Sequence, residues 1–228
     1  MEAIILCGGK GTRLGNLTED IPKPMLPING KPFLEYQVEK LLMSGVKKII
    51  FSCGYKWEKI HSYFGNHDYF VYVTEDKPLG TAGAVRNCLD HIEGPNVLIV
   101  NGDTFCDMEL RLFIQKNFNE QIAISLSRVQ EPNDYGAVLI GRNDLVLAFL
   151  EKPKAPRIGN YVSNGIYLIN KNIIKMITKD KEISLETNIF PRFTRSNWVQ
   201  GYCTDSKFID IGTPERYMIA QEWVKNNL

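Results

Sequence analysis

The chain opens with the stretch AIILCGGKGTRL at residues 3–14, in which a short apolar run meets a cluster of glycines and an arginine. An apolar run this short, with no polar face, is typical of a strand buried on both sides in a parallel sheet. Glycines after such a strand let the backbone approach a ligand closely and turn its N–H groups toward an anion. Arg13 adds a two-pronged donor suited to phosphate. Glycines alone would indicate only a turn beside a solvated arginine, but Arg13 together with Lys23 of the next segment predicts a phosphate site at the end of a buried strand.

A second cation follows in the segment IPKPMLP at residues 21–27, where Lys23 lies between two prolines. Proline fixes its own backbone and restricts the residue before it, so Lys23 is expected in a stiff loop. Two other phosphate motifs do not match. A Walker loop needs serine or threonine after its lysine, whereas Lys10 is followed by Gly11. The dinucleotide fingerprint needs a glycine at Leu14 and an acid after the second strand, and the chain has neither.

The composition is that of an ordinary globular chain, with 228 residues, 44% hydrophobic and 23% charged, and a net charge of +1. This length supports one sizeable core, so we expect a single domain over residues 1–228. Mixed acids and bases give no sign of a nucleic-acid or membrane partner, and the apolar runs are too short to span a bilayer. Met1 leads straight into the first strand, so we expect no signal peptide. Five cysteines without metal-ligand spacing predict reduced thiols in a cytoplasmic protein.

Apolar spacing in the first half alternates between strand and helix patterns. Strands are predicted at residues 46–52, 69–73 and 97–100, and helices at 31–44, 57–64 and 80–92. Such alternation predicts an α/β fold with a mostly parallel sheet covered on both faces. In the second half we expect strands at 122–129, 136–140, 146–150 and 161–169, one or two more within 198–211, and helices at 172–177, 185–190 and 214–224.

Two acids, Asp103 and Asp210, lie in positions where a carboxylate is expected to bind a cation or another partner. Asp103, in NGD at residues 101–103, follows a hydrophobic strand, at the sheet edge where open α/β folds bind ligands. Asp210 lies between apolar residues, and a buried carboxylate is unfavourable unless it is paired or bound to metal. Two such acids aimed at one cation make a plausible Mg²⁺ site, because Mg²⁺ prefers hard oxygen ligands. The alternatives are a structural turn cap for Asp103 and a salt bridge for Asp210, for example with Lys207.

The motifs GGKGTRL at residues 8–14, PKPMLP at 22–27 and FIDIGTPER at 208–216 together resemble those of the sugar-1-phosphate nucleotidylyltransferases. The chain is similar to the short guanylyltransferases for heptose 1-phosphate and mannose 1-phosphate, over nearly its whole length. The resemblance implies a Rossmann-like mixed sheet with an inserted sugar-binding β region. About residues 1–110 would bind the nucleotide and about 111–228 the sugar. It also implies transfer of a nucleotidyl group from a nucleoside triphosphate to a sugar 1-phosphate, with Mg²⁺, giving an NDP-sugar and pyrophosphate for surface polysaccharides such as lipopolysaccharide or capsule.

The resemblance also assigns roles to individual residues. Arg13 would neutralise the leaving pyrophosphate and Lys23 the charge near the α-phosphate, while Asp103 and Asp210 would hold the metal. The nucleotide-binding positions are Leu6, Gly8, Gly9, Gly11, Thr12, Glu75, Gly80, Thr81 and Gly102. The sugar-phosphate-binding positions are Tyr135, Gly136, Glu151, Lys152, Asn164 and Gly165. Since side chains alternate along a strand, we expect Glu151 and Lys152 to point opposite ways, with at most one directed into the cleft.

Glu75 is the residue that bears on the nucleobase. By resemblance its segment reads the base, and relatives that use thymidine or uridine nucleotides commonly have glutamine at this position. A carboxylate only accepts hydrogen bonds, whereas guanine presents two adjacent donors, so Glu75 favours GTP.

Three alternatives to this interpretation remain open. Glu75 could merely end a strand in solvent. The enzyme could transfer uridylyl or thymidylyl groups to a hexose or amino sugar, or the chain could be a non-catalytic sugar-nucleotide sensor on the same fold. The sequence does not separate heptose from mannose, and it leaves open whether the chain forms a homo-oligomer.

Overall fold

The fold is described by a computed structural model for residues 1–129, 135–153 and 159–227. Its strands are β1 (Glu2–Leu6), β2 (Pro27–Ile28), β3 (Lys31–Pro32), β4 (Lys48–Cys53), β5 (Phe70–Thr74), β6 (Asn96–Asn101), β7 (Thr104–Cys106), β8 (Ile122–Arg128), β9 (Gly136–Ile140), β10 (Val146–Glu151), β11 (Tyr161–Asn170), β12 (Val199–Thr204) and β13 (Phe208–Asp210). The α-helices are α1 (Phe33–Met43), α2 (Trp57–Phe64), α3 (Gly80–Asn87), α4 (Leu110–Asn117), α5 (Lys171–Lys175), α6 (Phe190–Thr194) and α7 (Pro214–Asn227). Shorter 3-10 turns lie at Thr12–Thr18, Lys23–Met25, Leu89–His91 and Arg142–Asp144, and a π-helix at Leu185–Ile189.

The apolar run of the first motif is β1, which lies between β4 and β6 and is parallel to both. β5 extends this parallel group beyond β4. Leu6, the last residue of β1, is level with Ser52 of β4 and Asn101 of β6. The residues that follow these strands therefore meet at one edge of the sheet, where α/β folds bind their ligands.

The second half of the chain adds mostly antiparallel strands to the same sheet. β11 pairs antiparallel with β6, β8 and β9, and β10 continues the sheet beyond β9. β12 lies parallel to β8. The order β10-β9-β11-β6-β1-β4-β5, with β8 and β12 branching from β11, forms one nine-stranded mixed sheet. The predicted α/β fold class is confirmed.

Helices cover both faces of the sheet, because successive residues of β1 are apolar and face opposite sides. Ala3 and Ile5 are fully buried in a core that they share with α1, α2 and α4. Ile4 is fully buried on the opposite face, in a core shared with α3, α5 and α6. Because neighbouring residues of a strand face opposite sides, a strand buried on both sides reads as a continuous apolar run.

Several stretches differ from the sequence-based expectation, and among them the short strands β2, β3 and β7 were not predicted. The predicted helix at 80–92 ends at Asn87, because the Cys88 N–H bonds to Val85 three residues back and tightens the chain into a 3-10 turn. The predicted helix at 185–190 is a π-helix followed by α6. α4 was not predicted, although Leu110 and Phe113 carry its buried face at helical spacing.

Two further expectations concern the membrane and the thiols. Among the helices described, none combines the length and the apolar character needed to cross a membrane. All five cysteines are free thiols, and four of them are buried.

Candidate active site

The glycine-rich loop at residues 8–12 leaves the carboxyl end of β1. Gly11 has a φ of 67°, and a Cβ at this position would lie 3.1 Å from the Cβ of Lys23. Glycine is therefore required both by the left-handed backbone and by the close approach of the lysine. The Gly11 carbonyl accepts hydrogen bonds from the Thr18 hydroxyl at 3.2 Å and from the Leu14 N–H at 2.9 Å. These contacts hold the loop closed against Lys23.

Lys23 is almost entirely buried, with 8% of the residue exposed, in the 3-10 turn between Pro22 and Leu26. Its ammonium donates to the carboxylate of Asp103, and the two form an ion pair. The Thr104 hydroxyl donates to the other oxygen of Asp103 at 3.1 Å. Burial by itself raises the pKa of Asp103, but the charge of Lys23 and the hydrogen bonds from Lys23 and Thr104 outweigh it, so the pKa lies below its ordinary value. Asp103 is therefore an ionised partner of the cation and not only a turn cap.

Asp210 reaches the same place through the short ladder between β7 and β13. The antiparallel ladder pairs Asp210 with Thr104, the residue after Asp103. The Ile211 N–H donates to the Asp103 carbonyl at 3.0 Å and extends the ladder by one step. Two acids that are far apart in sequence thus lie on adjacent strands.

The carboxylate of Asp210 is held by two donors. The Gly212 N–H donates at 2.8 Å and the Arg216 guanidinium at 3.2 Å. The salt bridge considered as an alternative is therefore present, but its partner is Arg216 and not Lys207. α7 begins at Pro214, and its first turn carries Arg216 back over the acid. Nη2 of Arg13 is also close, since it would lie 3.5 Å from a Cβ at Gly212.

A cavity of about 710 Å³ opens at this edge of the sheet. Its size is that of a small-molecule site. The predicted residues that line it are Leu6, Gly8, Gly9, Gly11, Thr12, Arg13, Lys23, Glu75, Gly80, Thr81 and Asp103. The structure thus brings both predicted catalytic cations, most of the predicted nucleotide-binding positions and one of the two predicted metal ligands around one space.

Glu75 follows β5 and is half-buried in the wall of this cavity. One carboxylate oxygen accepts from the Leu79 N–H at 3.2 Å. The other faces the backbone of Gly8 and Gly54, close enough that a Cβ at Gly8 would lie 2.6 Å from it. Burial raises the pKa of Glu75, and the nearby charge of Glu182 adds to that rise, while the Leu79 hydrogen bond opposes it. The carboxylate is part of the site and does not simply end a strand in solvent.

The start of α3 forms the wall next to Glu75. Gly80 has a φ of 67°, and a Cβ there would lie 2.6 Å from the carbonyl oxygen of Ile183. The Ile183 N–H donates to the Leu79 carbonyl at 2.8 Å, and the Ala82 N–H returns a bond to the Ile183 carbonyl at 2.9 Å. A segment from the second half of the chain thus fixes the first turn of α3, where Thr81 lines the cavity.

Eight of the predicted site residues are not in the lining of the cavity: Gly102, Tyr135, Gly136, Glu151, Lys152, Asn164, Gly165 and Asp210. At Gly102 a Cβ would lie 2.6 Å from the Leu6 carbonyl oxygen, so this glycine lets β1 pack closely. Gly136 has a similar packing reason, because a Cβ there would lie 2.5 Å from the ring of Phe149.

The predicted sugar-binding acid and base lie side by side. The Glu151 and Lys152 side chains form an ion pair at 3.6 Å, so the expectation that they point opposite ways was wrong. Strand alternation does not apply, because β10 ends at Glu151 and Lys152 has a φ of 44°. Burial raises the pKa of Glu151, with a further contribution from the charge of Glu186, while Lys152 opposes the rise. The Lys152 N–H donates to the Tyr135 carbonyl at 3.2 Å, which ties this pair to Tyr135.

Asn164 lies deeper than expected for a residue that faces a sugar, with only 1% of it exposed. Its amide nitrogen donates to the hydroxyls of Ser125 at 2.8 Å and Ser127 at 3.1 Å. Within the described part of the chain its amide oxygen has no hydrogen-bond partner, and the same holds for the amide oxygen of Asn101, which lines the cavity. The next residue, Gly165, packs against the Asn101 side chain, so β11 touches the wall of the cavity here.

Several residues of the site were not found from the sequence. Asn101, Ser52, Tyr55 and Glu182 line the cavity. Asn101 could have been found as the neighbour of Asp103 at a strand end. Arg216 stands in the recognised FIDIGTPER motif, but its pairing with Asp210 depends on where α7 begins.

Parallel strands that end in a glycine loop, with two cations and a carboxylate around one cavity, define an α/β protein that binds the phosphates of a nucleotide. A family model described as nucleotidyl transferase matches residues 2–227. The chain belongs to this family and is an enzyme, as predicted.

Known proteins are similar to the chain over its length. It is 37% identical over 227 residues to the D-glycero-alpha-D-manno-heptose 1-phosphate guanylyltransferase of Aneurinibacillus thermoaerophilus, with 97% of each chain covered. It is 33% identical over 226 residues to the mannose-1-phosphate guanylyltransferase of Mycobacterium tuberculosis, covering 96% of this chain and 63% of that one. The crystal structure of HddC from Yersinia pseudotuberculosis complexed with GMP-PN superposes with a TM-score of 0.84 at 36% identity, covering 98% and 99% of the two chains.

Proposed function

We propose that this enzyme transfers GMP from GTP to heptose 1-phosphate or mannose 1-phosphate and releases pyrophosphate. The observation that carries the proposal is a single cavity that unites the glycine loop, Arg13, Lys23 and Glu75. A nucleoside triphosphate needs N–H and cationic partners for its phosphates and a matched partner for its base. The guanylyltransferase names of the similar relatives, and the GMP-PN complex of HddC, support the same class.

The reaction needs alignment and charge neutralisation more than proton transfer. An oxygen of the sugar phosphate attacks the α-phosphorus of GTP and forms a new O–P bond. The bond from the α-phosphorus to the bridging oxygen breaks, and pyrophosphate leaves with that oxygen. The attacking phosphate is already ionised at neutral pH, so no general base is required. Lys23 neutralises charge at the α-phosphate and Arg13 on the leaving pyrophosphate, and cations held in place lower the barrier without reorganisation.

We propose Mg²⁺ as the cofactor, held by Asp103 and Asp210. The donor chemistry matches, since both are hard carboxylates on adjacent strands. Mg²⁺ is commonly bound by one or two carboxylates together with water and substrate phosphates. A larger cluster is therefore not required, and the described residues contain no group of three or more His, Cys, Asp or Glu side chains that could hold a metal. When bound, the ion supplies charge neutralisation for the triphosphate. Lys23 is paired with Asp103 and Arg216 with Asp210, so each of the two acids also has a cationic partner in the protein.

Glu75 is the residue that we propose reads guanine. One of its oxygens is occupied by the Leu79 N–H, and the other lies against Gly8 in the cavity wall. A guanine edge offers two adjacent donors to this carboxylate, whereas uracil or thymine would bring a carbonyl oxygen against it. Burial raises the pKa of Glu75, and the two donors of a bound guanine would lower it again.

The sugar phosphate is proposed to bind where β9, β10 and β11 approach the cavity. Gly136 and Glu151 belong to β9 and β10, Tyr135 and Lys152 flank them, and Asn164 and Gly165 lie on β11, where Gly165 packs against Asn101 of the cavity wall. Lys152 supplies a cation for the phosphate of the sugar, and Glu151 supplies acceptors for sugar hydroxyls. We also propose a cytoplasmic location, because five free thiols are typical of a reducing compartment.

The test is a matrix of substrates. GTP, UTP, dTTP, CTP and ATP are each combined with heptose, mannose, glucose and N-acetylglucosamine 1-phosphates, with Mg²⁺, and pyrophosphate release is measured. We expect GTP with heptose or mannose 1-phosphate to be turned over best. Best turnover of UTP or dTTP with a hexose would replace the proposal with uridylyl or thymidylyl transfer. Binding of a sugar nucleotide without turnover of any pair would indicate a sensor.

A further inference from the structure

A partly buried hydrogen-bond chain runs from the nucleotide cavity to the sugar side of the sheet, and Glu186 is its centre. Glu186 is the second residue of the π-helix Leu185–Ile189. π-helices are rare and often occur at functional sites. One oxygen of its carboxylate accepts from the Thr81 hydroxyl at 2.6 Å and from the Ser184 hydroxyl at 2.8 Å. Its other oxygen faces the Tyr167 hydroxyl at 3.5 Å.

On the nucleotide side, neighbouring N–H groups fix the direction in which the Thr81 and Ser184 hydroxyls donate. The Thr81 oxygen accepts from the Leu185 N–H at 2.8 Å. The Ser184 oxygen accepts from the N–H groups of Glu186 and Thr187, each at 3.1 Å. Both hydroxyl protons are therefore directed at one oxygen of Glu186. An ionised carboxylate, which only accepts, satisfies them together.

On the sugar side the chain continues into β11. The Ser163 hydroxyl donates to the Tyr167 hydroxyl at 3.1 Å and accepts from the Gly165 N–H at 3.3 Å. The pairing of β11 with β8 shifts register between Ser163 and Tyr167, so these contacts bridge a bulge. Bulges often stand next to active sites, where they redirect side chains. Asn164 and Gly165 lie within this bulge.

We propose that Glu186 is a positioning residue that couples the two substrate sites, because one carboxylate holds Thr81 beside the nucleotide cavity and Tyr167 behind the bulge of β11. The inference rests on the proposed function in taking this bulge as the sugar side. The substrate that binds first orders one end of this hydrogen-bond chain. Binding of the second substrate then loses less entropy, because part of the chain is already ordered. By thermodynamic linkage the effect is the same in both directions.

Glu186→Gln tests the coupling with little change in volume. The amide oxygen still accepts from Thr81 and Ser184, so the nucleotide side keeps its contacts. The amide nitrogen, which only donates, then faces Tyr167, so the Tyr167 hydroxyl loses the acceptor of its proton and the link on the sugar side is weakened. Tyr167→Phe breaks the same link from the other end. Thr187→Ala is the matched control, because Thr187 is the next residue of the π-helix and its exposed side chain hydrogen-bonds only to Asn188 among the described residues.

The measurement is calorimetric binding of guanosine 5′-(α,β-methylene)triphosphate with and without mannose 1-phosphate. We expect each ligand to tighten binding of the other by roughly fivefold or more in the wild type and in Thr187→Ala. In Glu186→Gln and Tyr167→Phe this factor should fall toward one, and the double variant should lose nothing further. In turnover with the other substrate saturating, the KM for each substrate should rise by about the coupling factor that is lost.

The outcomes separate this inference from the function on which it rests. A wild type that binds both ligands independently, or a Glu186→Gln variant with full coupling, overturns the inference alone. A wild type that binds neither ligand overturns the proposed function and the inference together. Thermal melting of each variant checks folding, and Tyr167→Phe gives a second result if Glu186→Gln is unstable.

Discussion

Lys23→Ala removes the cation that faces both Asp103 and the proposed α-phosphate. We expect turnover to fall by roughly a hundredfold or more, the usual effect of losing one preorganised charge in an active site. Stability should fall as well, because Asp103 loses its counterion. Breaking a buried ion pair costs about 3–5 kcal/mol and an exposed pair about 0–1 kcal/mol. The side chains of Lys23 and Asp103 are 11% and 35% exposed. Their pair falls between these limits, so we expect Lys23→Ala to lower the free energy of unfolding by about 2 kcal/mol.

Lys31→Ala is the matched control for this change. Lys31 forms an ion pair with Glu39 at 2.6 Å, but both side chains are more exposed, at 27% and 49%. Its loss should leave turnover unchanged and lower the free energy of unfolding by less than about 1 kcal/mol. Pyrophosphate release and urea denaturation measure the two effects. If Lys23→Ala turned over substrate as fast as Lys31→Ala, the catalytic role of Lys23 would be wrong.

Three further predictions concern base choice, pH and backbone strain. We expect the wild type to prefer GTP over UTP by roughly tenfold to a hundredfold, and Glu75→Gln should reduce this preference, because an amide matches uracil and leaves a guanine donor unpaired. Unchanged competition between the two nucleotides would refute the role of Glu75. The folded pKa of Asp103 lies below its unfolded value of about 3.9, so its ionised form stabilises the fold above that pH and the gain disappears as the pH falls through the folded pKa. The stability gap between the wild type and Asp103→Asn should therefore narrow below about pH 4, and a constant gap in acid denaturation would contradict it. Gly80→Ala should destabilise the protein against urea more than Gly45→Ala does, since both glycines have positive φ but, of the two, only Gly80 would place a Cβ against backbone. An alanine in the left-handed conformation costs about 1–2 kcal/mol by itself. Equal losses of stability would show that the Ile183 contact relaxes.

The sequence predicted the parts of the site that depend on neighbouring residues. The apolar run before Gly8 indicated β1, and the prolines around Lys23 indicated its rigid turn. The sequence also predicted that Asp103 and Asp210 share one cation, but it did not show how they meet, because apolar spacing indicates that a strand is buried and not which strand it pairs with. Their adjacency depends on the ladder between β7 and β13.

The misjudged features depend on single backbone angles or on the start of a helix. Lys152 turned toward Glu151 because one residue beyond β10 has a positive φ. Arg216 reached Asp210 because α7 starts two residues before it. Glu186 carried no sequence signal, since its role depends on a π-helix that brings it against Thr81, 105 residues earlier in the chain. Such contacts follow from tertiary packing, which local patterns do not encode.

The ion pairs of the site suggest why its cations stay in place. A lysine or arginine facing only phosphates would repel its neighbours and swing into water. Here Lys23 is paired with Asp103, so its direction is fixed before any phosphate arrives, while Arg216 holds the second acid, Asp210. The two acids lie on one ladder, which fixes the pairs relative to each other. Exchange of a carboxylate for a phosphate oxygen then requires little movement, and preorganisation of this kind is what electrostatic catalysis demands.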